Sequence, residues 1–147
     1  MIKNGDVVGY ENKGDFRGVV LEHILLIFAG KAMVGLVKLP SKIKVSKTAV
    51  SDTLDSNSHN FVSALINSNL KDLEKIKPVV DIKGKIIVKP LYLFLDREVL
   101  LYAKLKKLKF KEGKIKKDNI GIFIDKLEQK HPEVKSAVIK GYIESFS

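Results

Sequence analysis

Apolar residues recur along the chain in two periods, and the changes between them mark out the elements. Asp6-Val7-Val8-Gly9-Tyr10 is a short apolar run that predicts a strand, and Glu11 to Asp15 that follow are turn formers. From Phe16 to Lys31 the spacing becomes helical: Phe16, Val19, Val20, Ile24, Ile27 and Phe28 recur at three and four, with Asp15 as N-cap and Gly30 as stop. Met33 to Val37 predicts a second strand. Ile43, Val45 and Ala49-Val50 predict a third, after Pro40-Ser41. A helix over about Asp55 to Asn67 presents Phe61, Leu65 and Ile66 as its apolar face, with Asp55 as N-cap or first-turn acid. A shorter helical piece, with Leu70, Leu73 and Ile76 as its stripe, ends at Pro78.

Val79 to Val88 then reads as a hairpin around Lys83-Gly84. Pro90 holds Lys89 extended. Asp96 can cap a helix that carries Val99, Leu100, Tyr102, Ala103 and Leu105, and Glu98 suits its first turn. Two further helices close the chain, separated by His131-Pro132. The first, Asn119 to Lys130, turns Ile120, Phe123, Ile124 and Leu127 inward. The second, Glu133 to Phe146, carries Val134, Val138, Ile139, Tyr142, Ile143 and Phe146. Strands interleaved with helices predict an α/β domain with a short, mostly parallel sheet, helices on its faces and a helical C-terminus.

At 147 residues the chain is most simply one domain, spanning 1–147. With 45% hydrophobic and 30% charged residues it is globular rather than disordered. There is no cysteine, which excludes disulfides, a thiolate nucleophile, iron–sulfur ligation by thiolates and Cys-rich zinc sites, and fits a reducing cytoplasm. Val19 to Ala29, the most apolar run, contains Glu22 and His23 and is too short to span a bilayer, so no membrane partner is expected. The formal charge of +10 favours a polyanion such as RNA. All the basic residues but Arg17 and Arg97 are lysines, which read phosphate geometry less well than arginine.

Two stretches carry candidate chemistry. Strand, Gly-containing loop and helix at Tyr10 to Phe16 is the geometry of a phosphate cradle, with Lys13, Gly14 and Asp15 in the loop. Lys109, Lys111, Lys114, Lys116 and Lys117 form the most cationic loop. It is either an RNA-binding segment acting through counterion release or a solvated surface. His23, His59 and His131 are dispersed and lack metal-ligand spacing, so no metal site is expected. An enzyme with a reworked pocket would have Glu11, Asp15 or Asp55 as its acids, but no nucleophile–base pairing is readable.

Lys89-Pro90-Leu91, a short spacer, Asp96-Arg97-Glu98-Val99, Tyr102-Ala103 and Leu108-Lys109-Phe110 together resemble the C-terminal half of the PP-loop ATP pyrophosphatases. The nearest branch is the TtcA/TtuA type of tRNA 2-thiolation enzymes, whose closing motif is also similar to Leu127-Glu128-Gln129-Lys130-His131-Pro132-Glu133. The resemblance implies a reduced PP-loop fold of the adenine nucleotide alpha hydrolase type. It also implies ATP and Mg²⁺ at the first loop and at the acidic start of the Asp55 helix.

The family's motifs are only partly kept. Its "Ser-Gly-Gly-x-Asp-Ser" loop corresponds to Glu11-Asn12-Lys13-Gly14-Asp15-Phe16, where only Gly14 and Asp15 are near matches and Glu11 sets a carboxylate where phosphate would approach. Leu54-Asp55 matches the family's acidic segment, but Asp52, Thr53 and Ser56 depart from it, and one carboxylate is a weak Mg²⁺ ligand set. Lys114 or Ile115 stands near the place of a family cysteine. The long middle region that helps to bind adenine is missing. The resemblance thus implies a non-catalytic relative without a cofactor, a cytoplasmic partner subunit or tRNA-binding component in tRNA thiolation. Its partners would be tRNA and either an active PP-loop paralogue or a second copy. The alternatives are a stand-alone basic RNA-binding module and the enzyme with a reworked pocket.

Overall fold

A computed structural model describes residues 1–113 and 116–146, so Lys114 and Ile115 lie outside the described residues. Five strands form one sheet: β1 (Val7–Tyr10), β2 (Gly35–Lys38), β3 (Lys47–Ala49), β4 (Val79–Ile82) and β5 (Lys85–Val88). Their order is β2-β1-β3-β5-β4. β1 pairs in parallel with β2 (Val8 beside Leu36) and with β3 (Val8 beside Lys47), and β3 pairs in parallel with β5. Only β4, at the edge, is antiparallel, joined to β5 by the tight Lys83-Gly84 turn in which both residues have positive φ. The expected short, mostly parallel sheet and hairpin are both present.

The chain leaves β1 for β2 on one side and returns to β3 on the other. Right-handed crossovers therefore put the intervening segments on opposite faces and open a crevice at the carboxyl ends of β1 and β3. Helix α1 (Phe16–Lys31) and α4 (Asp96–Leu105) cover the first face. Val20, Leu21 and Leu25 of α1 and Val99 and Ala103 of α4 pack there on Val8, Tyr10, Ala49 and Val88. The connection from β2 to β3 is only residues 39–46. Its Leu39 and Val45 would meet a Cβ at Gly9 at 3.1 Å, so the absence of a side chain lets this short segment lie on β1.

A second core forms helix on helix. α2 (Leu54–Ile66), α3 (Leu70–Glu74) and α6 (Val134–Phe146) bury Leu54, Ala64, Leu73, Ile139 and Tyr142 together with Ile76 and Tyr92. No strand residue belongs to this cluster. α5 (Asn119–Lys130) lies against α2 and α6. Phe61, Tyr142 and Phe146 make an aromatic trio, with Tyr142 stacked on Phe146 at 5.3 Å. Among the described residues, no helix is long and apolar enough to cross a membrane.

Several sequence expectations are corrected. α1 runs through Gly30 and ends at Lys31, with Ala32 as its extended C-cap. Thr53 caps α2, and Asp55 takes the other place expected for it, as the acid of the first turn: the Thr53 hydroxyl accepts from the Ser56 N–H while the Ser56 hydroxyl accepts from the Thr53 N–H, a reciprocal capping box. Leu95 precedes α4 as its cap without a side-chain bond, which releases Asp96 for other partners. Ile27, Phe28, Leu65, Ile66, Leu105, Phe123 and Phe146, expected inside, are exposed, although Phe146 still stacks on Tyr142 of the second core.

Tyr92 is 3% exposed, and its hydroxyl has no hydrogen-bond partner among the described residues. Burial, with a smaller contribution from Tyr142, pushes its ionisation up to about 12. An unpaired buried hydroxyl costs roughly 1–3 kcal/mol. Tyr92→Phe is therefore expected to raise the stability measured by urea unfolding by about 1 kcal/mol, whereas Leu21→Ala in the first core should lower it by about 2–5 kcal/mol.

Candidate functional site

The carboxyl ends of β1 and β3 feed two helix starts, and the loop after β1 is the place for an anion. Here it is filled from within. The Gly14 N–H donates to the Asn12 side-chain oxygen at 2.9 Å, and the Gly18 N–H donates to Asp15 Oδ1 at 2.8 Å. A Cβ at Gly18 would lie 2.8 Å from the Asn12 oxygen and 2.9 Å from that of Asp15, so these two oxygens occupy the concavity at the start of α1. The Gly14 carbonyl accepts from the Lys111 N–H at 2.7 Å, which lays the segment after α4 across the loop. Phe110 of that segment packs edge-on against Phe16. Two amides at the start of α1, those of Gly14 and Gly18, are thus engaged by the chain's own oxygens, which crowd the place where the resemblance puts the ATP phosphates.

Beside the loop, side chains from α1 and from the start of α2 converge on Asp96 at the start of α4. Arg17 of α1 donates to both carboxylate oxygens, Nε at 2.8 Å and a terminal nitrogen at 2.5 Å. The Thr53 hydroxyl donates to the same carboxylate at 2.7 Å. The Asp96 N–H, one of the free donors at the start of α4, donates to Asp55 Oδ2 at 2.6 Å. Burial acts to lower the Arg17 pKa, but the hydrogen bond and charge of Asp96 outweigh it and hold the guanidinium above its ordinary value.

The network continues across the crevice. Lys135 of α6, 6% exposed, donates to Asp55, to Asp125 at 3.3 Å and to Glu128 at 3.5 Å. Asp125 also pairs with Lys117, and Glu128 lies 3.7 Å from Arg97. His59 Nε2 sits 2.8 and 2.9 Å from the two oxygens of Asp118, which caps α5 through the Gly121 N–H. The Gly121 bond and His59 together hold the Asp118 carboxyl below its ordinary value. Burial acts to raise Asp125, but Lys117 and Lys135 prevail and lower it. The same carboxylates, against the cost of burial, raise Lys135.

These groups line an open cleft of about 1430 Å³ between the two cores. Its described lining holds seven Lys and Arg side chains and seven carboxylates, so it is formally neutral. Among the described residues, no group of three or more acidic, His or Cys side chains is placed to hold a metal ion. Of the residues predicted from sequence, Asp15, Asp55, Lys111, Lys116 and Lys117 line the cleft, while Lys13, Gly14, Glu11 and Lys109 do not; Lys114 lies outside the described residues. The residues sequence reasoning missed are Arg17, Thr53, Asp96, Asp125, Glu128 and Lys135. One signal was available for Arg17, the only arginine besides Arg97 in a lysine-rich chain.

No protein-family model matches the chain, and a comparison with curated proteins finds no match. A solved structure does match: the U34-tRNA thiolase NcsA from Methanococcus maripaludis with its [4Fe-4S] cluster, at a TM-score of 0.71 and 17% identity, over 97% of this chain and 72% of that one. The fold is PP-loop-like. A cluster held by cysteine thiolates has no counterpart in a chain without cysteine.

Asp96→Ala removes the shared acceptor of Arg17 and Thr53. It should lower stability in urea by about 1–3 kcal/mol, and Arg97→Ala, at an exposed pair, by less than about 1 kcal/mol. The lowered Asp125 carboxyl contributes stability that is fully present above its unfolded value and is lost as pH falls through its lower folded value. Stability followed from pH 5 downward should therefore fall less steeply below about pH 4 in Asp125→Asn than in the native protein.

Proposed function

We propose that this chain is a non-catalytic relative of the tRNA-thiolating ATP pyrophosphatases, acting in the cytoplasm as a partner subunit, as a tRNA-binding component, or as both. The observation that carries the reading is the first loop. In this PP-loop-like fold, Asn12 and Asp15 take the amides of Gly14 and Gly18 at the place where the resemblance puts a nucleotide phosphate. The absence of cysteine points the same way, because sulfur transfer through a thiolate has no residue to use. The formal charge of +10 supports contact with tRNA. In this reading the chain binds no ATP or Mg²⁺ and does no chemistry of its own. An active paralogue or a second copy supplies the other subunit.

The neutral cleft favours this over an enzyme with a reworked pocket. Asp55, the acid best placed for such an enzyme, already accepts from Lys135 and from the Asp96 N–H. The test is purification of the chain from its native cytoplasm, with co-purifying proteins identified by mass spectrometry and nucleic acid extracted from the same eluate. A PP-loop paralogue in near-equal amount, with tRNA, is expected. ATP pyrophosphate release or RNA adenylation by the purified chain alone would sink the proposal.

A further inference from the structure

The neutrality of the cleft displaces the charge. Its described lining is balanced, so the formal +10 is carried by the rest of the chain. Topology gathers much of it at one place. β1, β2, β3 and β5 are parallel and start at the same edge of the sheet, and antiparallel β4 ends there. Lys3 lies in the turn that enters β1, where the Asp6 N–H donates to the Lys3 carbonyl. Lys44 precedes β3 by three residues. Lys83 and Lys85 flank the turn between β4 and β5. α1 and α4 run back from the cleft, so Lys31 and Lys107 arrive at the same edge. All six are exposed, and none has an ion-pair partner among the described residues.

The carboxylates of this edge are already engaged. Asp6 accepts from Lys47 at 2.7 Å and from the Lys3 N–H at 2.7 Å, and Asp81 accepts from the Gly84 N–H at 2.9 Å. Complementing helix dipoles accounts for Lys31 and Lys107 alone. Lys3, Lys44, Lys83 and Lys85 serve no helix end, and five strands spread such charges over roughly 20 Å.

We propose that this amino-terminal edge of the sheet, opposite the cleft, is a docking surface for the phosphate backbone of RNA. It rests on the RNA-contact reading above and relocates the principal contact away from the Lys109–Lys117 loop. Unpaired lysine ammonium groups on turns engage phosphates as point charges and read no bases, so binding is independent of sequence and steeply dependent on salt. An anionic lipid surface fits less well. The edge presents no amphipathic helix, and its exposed apolar residues, Met1, Met33, Ile43 and Ile82, lie on separate turns and strand ends, not on one helix face.

The test uses the full chain with a tRNA transcript and with polyuridine of matched length, each titrated over a range of salt. K31A/K44A/K83A/K85A is expected to weaken both RNAs by roughly 30-fold and to reduce the slope of log K against log salt by about 3. The loop variant K109A/K111A/K116A should lose less. The four Lys→Arg replacements should keep the affinity, and an unchanged thermal melt confirms that each variant is folded. If the edge variant binds as the native chain does and only the loop variant weakens, the edge is not the surface, although the RNA reading stands. If the native chain binds neither RNA, both fail. If it binds phosphatidylserine vesicles through these lysines and not RNA, the partner is a lipid surface and this proposal is overturned.

Discussion

Two hydrophobic cores that share no strand have to be held in register, and polar bonds do most of that work at the cleft. Asp96 is the junction. It begins α4, which belongs to the sheet core, and it bonds to Thr53 and Asp55 at the start of α2, which belongs to the helical core. Lys89, at the end of β5, is a second fastening. It is 4% exposed and donates to the Asn57 side chain at 3.0 Å and to the Lys75 carbonyl at 2.7 Å, with Asp52 3.3 Å away. Burial, opposed by Asp52, lowers the Lys89 pKa. That side chain therefore remains in place because its hydrogen bonds are nearly all made by the fold, not because burying a charge is favourable.

The Asp96 junction also explains what the cleft is not. A carboxylate at a helix start beside a second carboxylate resembles a place for a cation, but each oxygen is already aimed at a donor from the chain itself. Arg17 takes both oxygens of Asp96, and Lys135 and a backbone N–H divide those of Asp55. The charge that would recruit a metal or a phosphate is spent internally, and rearranging it would loosen the two cores from each other. Fold maintenance and ligand binding therefore compete for the same groups.

Much of the fold was legible in the sequence because it depends on local rules. Asp15 capping α1 and the Lys83-Gly84 turn are set by residues near in sequence, and the structure has them; α3, expected to run to Pro78, instead ends at Glu74. The parallel sheet followed from alternating element types. What was not legible depended on separation. Arg17 and Asp96 are 79 positions apart and Asp55 and Lys135 are 80 apart, so no window on the chain brings them together. Inward faces of α2 and α5 were misjudged for a related reason. Periodicity gives the direction of an apolar stripe but not how much of it a neighbouring element covers, and Leu65, Ile66 and Phe123 are left exposed.

A PP-loop-like fold usually earns its ligand site from loops at the carboxyl ends of its strands, because backbone amides there point outward and need acceptors. This chain satisfies them with Asn12 and Asp15, side chains a few residues away, and lays residues 108–111 across the result. Once that edge is self-sufficient and its cleft neutral, the long-range field of the protein is determined by lysines elsewhere. The opposite edge, where strands begin and two helices end, is where such lysines can gather at little cost. Turns there need no buried side chains, and helix carboxyl ends favour positive charge. The proposed RNA surface is thereby separated from the one that, in a fold of this kind, would perform chemistry.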